Sequence, residues 1–555
     1  EIQMLRPRDI EKIEYHDAPS GKYAKDKLVV NFITKQYRYG GYVQADGLQT
    51  IGYDHGDYNV ATNYVKGNNS YTVFAGANYS HVDGTETWNN ENYQFPQSLF
   101  DRESYSKNSY RNHQEYMQFR YQNQKGKRYW VGKFTLVNLS TPRNASSGFA
   151  RESIETDVFS NIRKKSLSPK IDLNANLPLS KNQTLTLGVH GKYSANSYHR
   201  LYQEQPFEAM TDEDEKALSF QLSAIYNYFS QKHSLSVELF HYHDVWNADY
   251  SGNCELWQHL WKGESLAFFS YNFQASRRLS LKTRIGLDWL QYHLHGDNSF
   301  SQLSPRINTN VQYQLNKGML LWSFNFMNSN HGMDVINRAM IQVNSHMMEK
   351  GMPELKKSHD INTYLYYMGR FNRLSVSAIG QFRYNHHPVT DDYYLDEANG
   401  KIVKTYSNGG NAQYYSAILA LQYKLCKFAN LSGDIRYNHA EVKTTWSKHN
   451  NNLTGNLGLN MFMGDFALKP YLHFGKKSLD EAALVISKTP INYGMSGSYS
   501  RGNLYIELQA VSPFKKQEKR YWLDLPIYSY SKSIKDQTAS QYASIKVAYS
   551  FDFGR

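Results

Sequence analysis

The chain has 555 residues and a net charge of +12, from 62 Lys and Arg against 50 Asp and Glu, and aromatic residues make up 15% of it (46 Tyr, 27 Phe, 9 Trp). No stretch approaches the ~18 consecutive apolar residues of a membrane-spanning helix, which excludes the helical membrane classes. The aromatic excess suits the girdles of a barrel at two membrane interfaces, while the charge alone names no ligand, and no nucleic-acid partner is expected.

Residues 1–40 read as one kind of text and residues 41–555 as another. From Gly41 the chain reads as strands starting near Gly41, Asp57 and Ser70 and continuing to Gln541, about 22 in all. Leu279, Leu281, Thr283, Ile285, Leu287 and Trp289 share one face of such a segment, opposite Ser280, Lys282, Arg284, Gly286 and Asp288. Period-2 alternation of this kind marks a strand with one apolar and one polar face. A β-sandwich would produce it in any single strand, but not with the connections seen here. About ten connections are tight turns, such as Gly67-Asn68-Asn69, Met463-Gly464-Asp465 and Arg501-Gly502. Longer polar connections alternate with them, including Asp83 to His113, Ser140 to Ser166 and Ser329 to Asp360. Short turns on one side and long loops on the other are the threading of an outer-membrane β-barrel. The expected fold is therefore an all-β, antiparallel transmembrane barrel.

Candidate ligand-contacting residues fall in or beside the long connections. Trp88, Trp246, Trp257 and Trp261 either stack on a sugar or aromatic ligand or anchor the loops at the outer rim. His241 and His243 continue the apolar face of Leu235, Val237 and Leu239, so a lipid-side rim position is expected and no metal site is assigned. His386-His387-Pro388 reads as a solvated turn. From Asp334, Ile336, Met340, Val343 and Met347 recur at helical spacing, which predicts an amphipathic loop helix with Met333, Met348, Met352, His331 and His346 nearby. Cys254 and Cys426 are expected on opposite sides of the membrane, where they cannot bridge. There is no Gly-x-Ser-x-Gly elbow, His-Glu-x-x-His, phosphate-cradling glycine loop or Cys-x-x-Cys, so neither enzymatic chemistry nor a cofactor is expected.

Several motifs resemble the TonB-dependent outer-membrane receptor family. Asp9-Ile10-Glu11-Lys12-Ile13-Glu14-Tyr15, Ala18-Pro19-Ser20-Gly21-Lys22-Tyr23 and Leu28-Val29-Val30-Asn31-Phe32-Ile33-Thr34-Lys35 resemble the end of that family's plug domain. Gly351-Met352-Pro353-Glu354-Leu355-Lys356-Lys357-Ser358-His359 is similar to the family's lead into a mid-barrel strand, and Ser304-Pro305-Arg306-Ile307 to another strand opening. Tyr549-Ser550-Phe551-Asp552-Phe553 resembles the aromatic C-terminal strand used in barrel assembly. The resemblance implies a short plug-like segment over 1–40 and a barrel over 41–555, in the outer membrane of a Gram-negative bacterium. It implies import of a nutrient of the siderophore, haem, glycan or peptide class. Its implied partners are the inner-membrane TonB complex, engaged through upstream residues, outer-membrane lipid and a surface substrate-binding lipoprotein. Either the chain begins inside the plug, which is the expectation, or the lumen is occluded in another way. The alternative function is a plugless passive channel or secretion pore.

Overall fold

The computed structural model describes residues 10–16, 29–34, 39–95, 98–297, 299–329, 332–535 and 540–554. At the N-terminus β1 (Ile10–His16) and β2 (Val29–Thr34) form a two-stranded antiparallel sheet of their own. The flanking parts of the plug-like motifs, residues 1–9, 17–28 and 35–38, lie outside the described residues.

The wall then begins with β3 (Tyr39–Ile51), β4 (Asp54–Lys66), β5 (Asn69–Phe95), β6 (Ser98–Lys125), β7 (Arg128–Arg151), β8 (Glu155–Ser180), β9 (Gln183–Glu204), β10 (Phe207–Phe229) and β11 (His233–Gly252). It continues with β12 (Leu256–Gln274), β13 (Leu279–Leu294), β14 (Phe300–Leu315) and β15 (Gly318–Ser329). A one-turn helix, α1 (Met333–Ile336), and two short strands, β16 (Met340–Gln342) and β17 (Met347–Lys350), leave the wall before it resumes with β18 (Ser358–Phe371) and β19 (Leu374–His386). The hairpin of β20 (Thr390–Asp396) and β21 (Lys401–Ser407) leaves it again, ahead of β22 (Asn411–Lys424), β23 (Ala429–Lys443) and β24 (Ser447–Met463). The last strands come in collinear pairs broken by kinks. They are β25 (Phe466–His473) with β26 (Lys476–Asp480), β27 (Val485–Thr489) with β28 (Asn492–Arg501), β29 (Leu504–Val511) with β30 (Glu518–Asp524), and β31 (Tyr528–Lys535) with β32 (Tyr542–Phe553).

Among the described residues, 26 of these strands close into one antiparallel barrel of 22 spans, each of the four collinear pairs counting as one, with β32 pairing back onto β3 from Gly41↔Phe553 to Ile51↔Ala543. The tight turns are where the sequence places them. Gly464 and Gly502 sit in two-residue links at φ 64° and 60°, a left-handed conformation that glycine adopts without a Cβ penalty. Ile285, Leu287 and Trp289 are about half exposed, while Arg284 and Asp288 between them are buried. The apolar face therefore meets lipid and the polar face the interior. His241 and His243 lie on the outward face, His243 stacked on Phe220 at 4.9 Å.

Two expectations need correction. Asp83 to His113 and Ser140 to Ser166 are not loops. β5 pairs with β6 from Asn69↔Asn123 through to Phe95↔Ser98, so the strands run on far past the hydrocarbon. Beyond the hydrocarbon the outward face is free to be polar, while inward residues such as Tyr93 and Arg102 are buried, and cross-strand contacts such as Trp88 against Tyr105 add to the backbone pairing. The predicted helix from Asp334 is only α1; Met340 and Met347 lie on adjacent antiparallel strands, β16 and β17. β-branched Ile341 and Val343 disfavour a helix, and the Asn344-Ser345-His346 turn ends it, with the His346 amide donating to Asn344 Oδ1 at 2.9 Å. His331 lies outside the described residues.

The ring changes above the membrane. β4 pairs with β5 only as far as Asp54↔His81, and from Glu86 to Tyr93 the partner of β5 is β31. A bulge between Asp83 and Thr85 marks the exchange, with Gly84 at φ 79°. The short hairpin of β3 and β4 thus drops out of the ring, and the upper wall is narrower than the lower.

In a Cys254→Ser background, cysteines at Ile154 and Asn399 should react with a membrane-impermeant maleimide on intact cells. Cysteines at Asn68 and Asp465 should react only after lysis. The opposite pattern would invert the threading.

Candidate functional site

The two excursions from the wall meet inside its long-stranded end. β16, β17, β21 and β20 form a four-stranded sheet in which β17 and β21 run parallel, Met347 opposite Ile402. This cap sheet and its root make apolar contacts with two arcs of the wall. Met347, Tyr393 and Ile402 are buried against Tyr93 of β5, Ala412 of β22, Val442 of β23 and Tyr528 of β31. On the other flank Met333, Ile336 and Leu355 are buried against Leu260 of β12 and Leu290 and Leu294 of β13. Two separate clusters, one along the arc from β22 to β5 and one at β11 to β13, thus hold the cap and its root at different places on the ring; Val343 packs on the first and Ile341 on the second, so the sheet reaches between them.

Polar clamps hold its edges. Arg200 of β9 donates to the carbonyls of Gln342 (2.6 Å) and Val343 (2.5 Å). The adjoining turn is gripped residue by residue. Asn344 donates to the Tyr93 hydroxyl (3.1 Å), Ser345 to Glu204 (3.3 Å), and His346 Nε2 lies 2.7 Å from Glu152. Beneath that turn buried Arg102 donates to Glu204 (2.8 Å) and Tyr202 (3.1 Å), and the hydroxyls of Tyr93 and Tyr528 both donate to Glu91. Within the sheet Lys404 bridges Glu349 and Asp391, each at 3.3 Å. Burial pushes the Asp391 carboxyl up despite the lysine beside it.

A second buried network joins the cap's root to the wall. Asp288 of β13, fully buried, accepts from Arg306 of β14 (2.9 and 2.6 Å) and lies 3.0 Å from the Lys357 ammonium. Arg306 also reaches Glu264 (3.4 Å), and Arg284 donates from Nε and Nη2 to Oε2 of Glu238 (3.1 and 2.8 Å) while its guanidinium lies 3.4 Å from the Phe268 ring centroid. Burial pulls the Lys357 ammonium down, against the opposing effect of Asp288. Two of the family-like motifs therefore meet at one carboxylate: Ser304-Pro305-Arg306 from one side, Leu355-Lys356-Lys357 from the other. Pro305 is tolerated within β14 because pairing with β15 starts only at Ile307.

The four candidate tryptophans are not brought together. Trp246 faces the interior, 5.7 Å from the Lys262 ammonium, on the face shared with Glu238 and Phe240. Trp257 and Trp261 face outward on β12, beside His295 (5.0 Å) and His243 (5.4 Å). Trp88 faces outward against Tyr105 at 4.4 Å. Among the described residues no group of three His, Cys, Asp or Glu is placed to hold a metal. Lower in the barrel a polar recess of ≈700 Å³ opens in the inner wall, lined among others by Ser377, Gln422, Asp434, Asn456 and Lys469.

No protein-family model matches the chain, and no curated protein matches it in sequence. Solved structures do match. The copper transporter OprC aligns with 95% of this chain and 83% of its own, at 11% identity and a TM-score of 0.66. The siderophore receptor PirA from Pseudomonas aeruginosa aligns over 94% and 82%, at 11% identity and 0.60. The FrpB iron transporter from Neisseria meningitidis aligns over 98% and 88%, at 9% identity and 0.61. The fold is that of TonB-dependent receptors. At this identity the likeness concerns architecture, and it leaves the residues of the mouth to be read from this chain.

Asp288→Ala should leave Lys357 and Arg306 buried against a missing charge, a loss of about 3–5 kcal/mol. It should lower the thermal unfolding midpoint in detergent at a fixed scan rate. The double variant Asp288→Ala/Lys357→Met should recover part of that loss, because it removes the stranded ammonium as well.

Proposed function

We propose that this chain is the barrel of an outer-membrane receptor importing a nutrient of the siderophore, haem, glycan or peptide class, energised by the TonB complex. The observation that carries the reading is the cap sheet. A barrel of about 22 strands is too wide for side chains to fill. A passive channel or secretion pore needs a clear path through it, whereas here a folded sheet with its own buried contacts lies across the mouth. A gated importer has use for such a closure, since solute must be admitted without leaving a standing hole. The likeness to transporters and receptors of copper, siderophores and iron supports the class of activity.

In this reading residues 1–40 are the C-terminal portion of a plug domain, and the β1–β2 pair is one of its sheets. TonB couples to the plug, and a surface lipoprotein delivers substrate to the mouth. Trp246 is the one candidate tryptophan turned inward, which makes it the ligand-facing member of the four; Trp88, Trp257 and Trp261 act as outer anchors.

Uptake of the cognate solute should stop when the proton gradient is collapsed; uptake that persists would favour the passive channel. In planar bilayers, replacing Asp391–Tyr406 by a short Gly-Ser link should raise single-channel conductance above that of the parent protein. Equal conductance would mean that the cap sheet closes nothing.

A further inference from the structure

The outer surface carries a second feature, unrelated to the mouth. The register places Lys477 of β26 directly opposite Lys488 of β27, and Lys488 opposite Arg520 of β30. Three cations thus stand side by side across three neighbouring strands. Their faces are fixed by the same register: Arg520 pairs with Ser533, and Ser533 with outward-facing Trp88, while Leu523 of β30 points inward to the buried core. Like charges directly opposite one another destabilise a sheet. Glu518 lies against Arg520 at 2.9 Å, but among the described residues no carboxylate pairs with Lys477 or Lys488.

The height of the row points to its use. Lys477 comes twelve positions after Asp465 in the short turn, and Lys488 thirteen before Arg501 in the next. About 9–11 tilted residues cross the hydrocarbon, so the row stands just beyond it on the outer side, at headgroup level. Below it the kinks of the last strands present Phe474 and Ile491, both about half exposed, and Phe514, 88% exposed. Lys515 and Lys516 follow Phe514 directly and are exposed too. An apolar lip under a row of cations matches a molecule with acyl chains below and phosphates above.

We propose that the outward face of β26, β27 and β30 binds a phosphorylated glycolipid of the outer leaflet, with Lys477, Lys488 and Arg520 on its phosphates and Phe514 among its acyl chains. The site rests on reading this barrel as an outer-membrane protein, but it does not depend on import. The probe is bis-phosphorylated lipid A, compared with its fully dephosphorylated form, added to the full chain in detergent and followed by native mass spectrometry. The parent protein should retain the phosphorylated form selectively, with affinity falling as salt rises. Lys477→Gln/Lys488→Gln/Arg520→Gln should weaken retention roughly a hundredfold, given the gain from each cation near anionic headgroups. Arg501→Gln, in a short turn on the opposite side, should change nothing. Equal retention of both lipid A forms by the parent protein, or undiminished retention by the triple variant, would overturn the proposal. Heat-modifiable gel migration and solute uptake of the triple variant keep the outcomes apart. A folded, transporting variant without lipid loses only this site, and a folded variant that binds lipid but does not transport leaves the site standing while the import reading fails.

Discussion

A chain crossing hydrocarbon must satisfy every backbone N–H and C=O internally, and for strands this means a sheet with no edge. The rest of the architecture follows from that demand. Closure between Gly41–Ile51 and Ala543–Phe553 removes the last free edge. It also forces apolar residues such as Ile285 and Leu287 outward and sends their polar neighbours into a space too wide for side chains to fill. The interior is therefore a problem of hydration. Where water reaches it, as in the recess beside Asp434 and Asn456, polar side chains suffice; where the cap excludes water, charges must be matched.

They are matched closely. Glu238 faces Arg284, and Glu264 and Asp288 face Arg306 and Lys357, three anions against three cations in two groups over β11 to β14 and the root of the cap. Such networks contribute little net stability relative to apolar packing, but each member becomes costly once its partner is removed. Their effect is geometric: only one seating of the cap satisfies Asp288, Arg200 and the Asn344-Ser345-His346 turn together. Apolar contacts of the cap supply cohesion, and the charges supply register.

The barrel was largely legible in the sequence because its two signals are local. Period-2 alternation and glycine or asparagine turns repeat from Gly67 to Gly502, and each is set by neighbours within a few residues. The upper strands of β5 to β8 were hidden, because Ser, Thr, Asn and charged residues interrupt the apolar alternation there, and what buries inward Tyr93 and Arg102 is the distant cap rather than any local pattern. The cap was misread as a helix at Met340 and Met347 because an apolar repeat of three and four residues also arises from two short strands folded back on each other. The interior network was visible only in part. Arg306 and Lys357 stood out through their motifs, but that both meet Asp288 depends on the register of β13 against β14, which no local pattern encodes. The tryptophans were equivocal for a similar reason: a single bulge at Gly84 decides which way Trp88 turns.

The exchange of partners along β5 has a consequence for how the ring is sealed. A barrel of this kind ordinarily has one seam, where its last strand meets its first. Here the chain's end is fastened twice, β32 to β3 below and β31 to β5 above, with the hairpin of β3 and β4 held beneath the upper fastening. Parting the first and last strands would not open the wall sideways from bottom to top, since the upper tier bypasses both β3 and β4. The upper tier can form only after β5 is in place, so the polypeptide's two termini are interlocked in the order of assembly, and the seam is transformed from the weakest line in the wall into an overlapped joint.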